Sequence, residues 1–133
     1  MIPVKPTLDY IAGFFDGEGS VVVRIVEDRR YRAGYRVSVR VSFAQKDRRV
    51  LEAVRERLGM GHIYPRNSDG MWYLEVYRRD DLRRFVDAMR DRVIVKRGDL
   101  ERLERVLDLL DEGVHSTREG LDAVLRAWSD KGG

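Results

Sequence analysis

Leu8-Asp9-Tyr10-Ile11-Ala12-Gly13-Phe14-Phe15-Asp16-Gly17-Glu18-Gly19 is the stretch that decides how this 133-residue chain folds. Leu8, Ile11 and Phe15 recur at helical spacing and face a core. Ala12, Gly13 and Gly17 leave another face nearly bare, against which a second helix backbone can lie closely. Thr7 supplies an N-cap and Asp9 a first-turn acid. Gly17 and Gly19 suit the left-handed conformation that ends helices. Asp16 and Glu18 then sit where the helix dipole already disfavours negative charge. Acids placed against that field call for a compensating cation, and a divalent metal fits. The plainer alternative is a packing helix ending in two solvated acids.

After Gly19 the period changes to two. Ser20, Val22, Arg24 and Val26 alternate with Val21, Val23 and Ile25, a strand with at least one buried face. Charged residues 27–34, ending in Ala-Gly, form a loop or hairpin tip. Tyr35 to Phe43 then alternates throughout: Tyr35, Val37, Val39, Val41 and Phe43 point one way, and Arg36, Ser38, Arg40 and Ser42 the other. Such a strand reaches roughly 30 Å, near one turn of B-DNA. Arginines mixed with hydroxyls, and no acid among them, are the donors that meet phosphates and base edges. A merely solvated face would mix acids with its bases.

Further along, Asp47 caps a helix running to Leu58, with Val50, Leu51, Val54 and Leu58 inward and Gly59 as its stop. Two short strands follow near 61–66 and 71–77, joined by Asn67-Ser68-Asp69-Gly70. Trp72, Glu75 and Tyr77 do not alternate cleanly there. Asp80 or Asp81 opens a helix with Leu82, Phe85, Val86 and Met89 inward. Asp99 caps the next, which carries the stripe Leu100, Leu103, Val106, Leu107 and Leu110. Ser116-x-x-Glu119 forms a capping box for a last helix that buries Leu121, Val124, Leu125 and Trp128. The order predicts an α+β fold, a four-stranded and mostly antiparallel sheet with helices on one face and a basic face left open.

Composition narrows the function. With 43% apolar and 37% charged residues the chain is expected to fold as one domain over 1–133, about 113–133 forming a C-terminal helical extension. No membrane span or signal pattern is visible, so a cytoplasmic protein is expected. Without cysteine, and with only His62 and His115, a metal would be a hard cation held by oxygen. Between Ser20 and Arg49 nine bases face three acids, whereas from Asp99 onward nine acids face five bases. The first region is built for polyanions and the second for solvent. Asn67 and Gln45 are the only side-chain amides, which fits a hot-living host.

The run Ile11-Ala12-Gly13-Phe14-Phe15-Asp16-Gly17-Glu18-Gly19 resembles the motif of the LAGLIDADG homing endonucleases, with Glu18 in place of the second aspartate. The resemblance covers roughly residues 7–112 and implies the same αββαββα order with a saddle-shaped sheet. It implies a site-specific double-strand DNA endonuclease, intron-encoded, acting by Mg²⁺-dependent hydrolysis. A single motif implies a homodimer, packed through Ala12, Gly13 and Asp16, reading a long pseudo-palindromic site. Glu18 matches the metal-binding acid and the Gly17 carbonyl the backbone ligand; Gln45 matches a glutamine that orients the attacking water, Lys96 a lysine near the scissile phosphate, and Arg49, or Arg48 in its place, a catalytic basic residue. For DNA contact the candidates are Arg24, Arg36, Ser38, Arg40, Ser42 and the tip arginines Arg29, Arg30 and Arg32, then Arg66 and Tyr73. An intron RNA maturase or a non-cleaving DNA-binding regulator on the same fold stays open as an alternative, since both keep the basic saddle.

Overall fold

A computed structural model of the chain describes residues 5–66 and 69–129. Helix α1 (Leu8–Glu18) starts where Thr7 Oγ1 accepts the Tyr10 N–H at 3.0 Å, the expected cap. It runs directly into β1 (Gly19–Glu27), which turns back into β2 (Tyr35–Gln45). The tip between them closes through the Asp28 N–H on the Gly34 carbonyl at 2.8 Å, with Gly34 at φ +81°. Next come α2 (Arg48–Leu58), β3 (His62–Pro65), β4 (Trp72–Val76), α3 (Arg79–Met89), α4 (Arg97–Asp111), a 3-10 turn over Val114–Ser116, and α5 (Arg118–Ser129). Asp47 caps α2 by accepting the Arg49 N–H, and Gly59 ends it at φ +69°, where a Cβ would be strained.

The sheet is antiparallel throughout, in the order β1-β2-β4-β3. Its central strand β2 pairs with β1 from Gly19↔Phe43 to Glu27↔Tyr35, and with β4 from Val41↔Val76 to Gln45↔Trp72. Period-two alternation decides the rest: Val39, Val41, Phe43, Leu74 and Val76 go under the helices, and the residues between them stay on the open face. Phe15 of α1, Phe43 of β2 and Phe85 of α3, all fully buried, meet with ring centroids 5.0–5.9 Å apart. Each aromatic pair adds about 0.5–1.5 kcal/mol to the burial itself, so these three rings fix α1 and α3 on the sheet.

Several expectations need correcting. Ala12 is 2% exposed, inside its own core, and does not belong to the bare face of α1. Its position one residue from Ile11 and three from Phe15 puts it on the apolar stripe; the bare face is Gly13 and Gly17. Neither Gly17 nor Gly19 is left-handed: Gly17 is helical, and Gly19 is extended at φ −92°. Gly19 is demanded by crowding instead, because a Cβ there would run into the Phe15 ring and carbonyl. Asp99 lies inside the first turn of α4, whose N-cap position is Lys96, and its carboxylate takes the Arg102 guanidinium. Thr117, not Ser116, caps α5, its Oγ1 accepting the Gly120 N–H at 3.0 Å. Leu125 is 43% exposed, one position outside the Gly120, Leu121, Val124 stripe by which α5 packs. The expected turn residues Asn67 and Ser68 lie outside the described residues. Among the described residues no helix is long and apolar enough to cross a membrane.

Candidate nucleic-acid interface

Strand register builds the open face. On β1 and β2, Ser20 stands beside Ser42, Val22 beside Arg40, Arg24 beside Ser38 and Val26 beside Arg36. The Ser20 and Ser42 hydroxyls meet at 2.7 Å. Across β2, Glu75 lies opposite Ser42 and Tyr73 opposite Ala44, and β3 adds His62 and Tyr64 beyond them. Arg66 follows β3; its Nη1 donates to the Tyr73 hydroxyl at 2.6 Å. The structure therefore places Arg24, Arg36, Ser38, Arg40, Ser42 and Tyr73 together on one surface, with Arg66 at its rim.

The tip arginines divide. Arg30 makes two bonds to the Asp28 carboxylate, at 3.0 and 2.8 Å, and Arg36 Nε lies 3.5 Å from the same group. The Arg30 hydrogen bond, against some burial, holds Asp28 down at about 2, so Asp28 offsets one tip charge at every ordinary pH. Arg29 and Arg32 are exposed and form no ion pair among the described residues.

The C-terminal end of α1 meets this surface. Glu18 lines a hollow of about 180 Å³ with Ser20, Arg40, Ser42, Tyr64, Tyr73 and Glu75. A carboxylate with the Gly17 carbonyl beside it in the last helical turn is an all-oxygen donor set, the kind that suits a hard divalent cation. Among the described residues no group of three acids or histidines gathers there; of the two carboxylates lining the hollow, Glu75 accepts from Tyr64 and faces Arg40, which leaves Glu18 as the one without such a partner.

Asp16 has a different task. Its Oδ2 accepts the Ile94 N–H at 2.7 Å and its Oδ1 the Lys96 N–H at 3.1 Å. The Lys96 ammonium donates to the Asp16 carbonyl at 2.9 Å. Burial would raise the Asp16 pKa, but the backbone donors of Ile94, Lys96 and Val95 and the Lys96 charge outweigh it and lower it. Both carboxylate oxygens are thus engaged within the chain, whereas the resemblance implies a role between two helices. Asp16 ties the 94–96 segment to the end of α1 and brings Lys96 to Glu18's end of the helix. Gln45 arrives there too, two residues past the Gly19↔Phe43 pair. Its side-chain oxygen accepts the Lys46 N–H at 2.8 Å, which stiffens the turn into α2. Arg49 folds back on Asp47, with bonds at 3.0 and 2.7 Å, and is the one expected catalytic residue already occupied by a partner of its own helix cap.

Glu75, Tyr64 and His62 are the surface residues that sequence reasoning misses. With Leu74 and Val76 recognised as core, period two would put Glu75 and Tyr73 outward; the short strand and its aromatic residues hide that signal.

The sequence pattern of the family described as LAGLIDADG endonuclease matches residues 11–93. A probable intron-encoded endonuclease of Neurospora crassa is 30% identical over 122 residues, which are 87% of this chain and 27% of the relative. DNA endonuclease I-CreI of Chlamydomonas reinhardtii is 23% identical over 96% of this chain and 77% of its own length. The chain thus spans about a quarter of the fungal relative and about three quarters of the algal one. Among solved structures, the homing endonuclease I-TnaI superposes with TM-score 0.87 at 28% identity, over 98% of this chain and 90% of that one. The archaeal intron-encoded homing endonuclease I-Vdi141I, solved with DNA, gives 0.84 at 28% identity, over 93% and 80%. An acid-ended helix set against an arginine-and-serine sheet face, in the same architecture as these relatives, places this chain in the LAGLIDADG endonuclease family.

Proposed function

We propose that the protein is an intron-encoded homing endonuclease that cuts both strands of a long pseudo-palindromic DNA site as a Mg²⁺-dependent homodimer. The observation that carries this reading is the hollow shared by Glu18 and the basic face, which puts an acid able to take a metal at the edge of a surface suited to a duplex.

One chain offers the hollow a single unengaged carboxylate among the described residues, which motivates the second copy. Gly13 and Gly17 have open space where a Cβ would stand. Beside them lie Tyr10, 54% exposed, and on the segment held by Asp16, Ile94 and Val95, 84% and 74% exposed. Apolar side chains around a bare helix face match a self-complementary contact. Two copies meeting there set one Glu18 near the other and join two basic faces into one saddle.

Glu18 and the Gly17 carbonyl would hold the cation, which when bound neutralises charge on the scissile phosphate and activates water. The chain's own groups do the rest. Arg24, Arg36 and Arg40 with Ser38 and Ser42 fix the duplex in register over the sheet. The exposed Arg29 and Arg32 meet phosphate at the tip. Lys96, anchored on the Asp16 carbonyl, supplies a cation at the reacting end, and the Gln45 amide keeps its N–H₂ for orienting water.

A plasmid carrying the uninterrupted host gene tests this. With Mg²⁺, wild-type protein is expected to cut it at one site, and Glu18→Gln to bind it without cutting. An intact plasmid, with splicing of the intron RNA accelerated instead, refutes the nuclease and supports a maturase.

A further inference from the structure

Glu75 interrupts an otherwise basic surface. Register sets it opposite Ser42 on one side and His62 on the other, mid-sheet and next to Arg40. Its Oε2 accepts the Tyr64 hydroxyl at 2.9 Å and lies 3.6 Å from Arg40 Nε. Both charged side chains are partly covered, Arg40 33% and Glu75 21% exposed, so neither swings freely in water. Tyr64 packs edge-on against Tyr73 at 5.6 Å and stacks with His62 at 6.2 Å, which fixes its hydroxyl. Burial first, then the bond to Glu75, pushes the Tyr64 pKa up to about 12, so the phenol remains a donor.

A carboxylate facing DNA repels phosphate and costs general affinity. What it provides in return lies in its contact with Arg40. The guanidinium has five N–H groups in a planar fork. Glu75 faces the Nε side as a charge partner at 3.6 Å, and the two terminal amino groups make no hydrogen bond among the described residues. Guanine presents two acceptors, O6 and N7, that such a fork matches.

We propose that Glu75, braced by Tyr64, is a specificity-positioning residue that locks Arg40 to read one guanine in each half-site. The inference rests on the DNA-endonuclease reading and adds to it one base position and the unit that reads it. Glu75 touches neither the metal nor the scissile bond in this role; it acts through Arg40.

The test uses a pool of DNA duplexes with randomised, two-fold-symmetric half-sites, bound in Ca²⁺ and sequenced after selection. Wild-type protein is expected to select a G·C pair at one position of each half. Arg40→Ala and Glu75→Ala should both lower discrimination at that position about tenfold or more, leaving other positions unchanged. Glu75→Gln, which keeps the acceptor for Tyr64 but not the charge that faces Arg40, should restore only part of it. Glu75→Ala should also bind unselected DNA more tightly than wild type, the opposite of what a damaged fold does. Should Glu75→Ala not fold, Tyr64→Phe replaces it, with a smaller loss at the same position. An unchanged selection profile in Glu75→Ala, a uniform loss at all positions, or a guanine preference that survives Arg40→Ala overturns the proposal while the DNA-binding reading stands. A wild-type protein that enriches no sequence overturns both.

Discussion

Replacing Asp16 with alanine cuts the tie between α1 and the 94–96 segment. Two hydrogen bonds to a charged acceptor are lost, from Ile94 N at 2.7 Å and Lys96 N at 3.1 Å. Bonds of this class are worth about 1.5–3 kcal/mol each. Asp16 is half-buried, and water reaches the released N–H groups, so roughly half of that sum survives, about 1.5–3 kcal/mol for the pair. At about 3–5 °C per kcal/mol for a domain of this size, the variant should melt about 5–15 °C below wild type at pH 7. The sign with pH follows from the lowered pKa. The contribution is complete above the unfolded value of 3.8 and is lost as pH falls through the lower folded value. Calorimetry at pH 7 and at about pH 2.5 therefore checks two things at once. The gap should be wider at the first than at the second. Equal melting at pH 7, or an undiminished gap at the acid end, refutes the reasoning. Cleavage should also slow while DNA affinity holds, because the backbone that carries Lys96 loses its tie to the Asp16 carboxylate without any change on the sheet.

Two further substitutions probe the proposed dimer face of α1 and the packing of α5. Gly13→Arg puts a long side chain into open space, so the isolated fold should keep its melting temperature within a few degrees while sedimentation shows a dimer turned monomer; a variant that still dimerises removes α1 from the interface. Gly120→Ala drives a methyl into the Val114 carbonyl and should cost about 2–4 kcal/mol by denaturant titration, and a change below about 0.5 kcal/mol would mean that α5 shifts to accommodate it.

Long elements with strong periodicity are legible in the sequence itself. Tyr35 to Phe43 declares its two faces residue by residue, and Thr7, Asp47 and Gly59 mark helix ends by chemistry that acts within three or four residues. What stays hidden depends on neighbours distant along the chain. Gly19 reads locally as a helix-ending conformation, yet it is required by the Phe15 ring. The motif suggests that Asp16 serves a helix pair, and no local pattern announces that its partners are Ile94 and Lys96. Ser116 and Thr117 are both good caps by residue type, and only the 3-10 turn ahead of α5 decides between them. At the site, Glu18 and the β2 arginines can be named from spacing, whereas Glu75 becomes visible only once β4 has a register.

The bond from Ile94 to Asp16 spans 78 residues of chain. A contact of that reach forms late, after the loop between its ends has been closed by everything folding in between. During synthesis the acid-bearing end of α1 leaves the ribosome well before Ile94 and Lys96, the segment that braces it. A product truncated ahead of Ile94 would carry Glu18 without that brace.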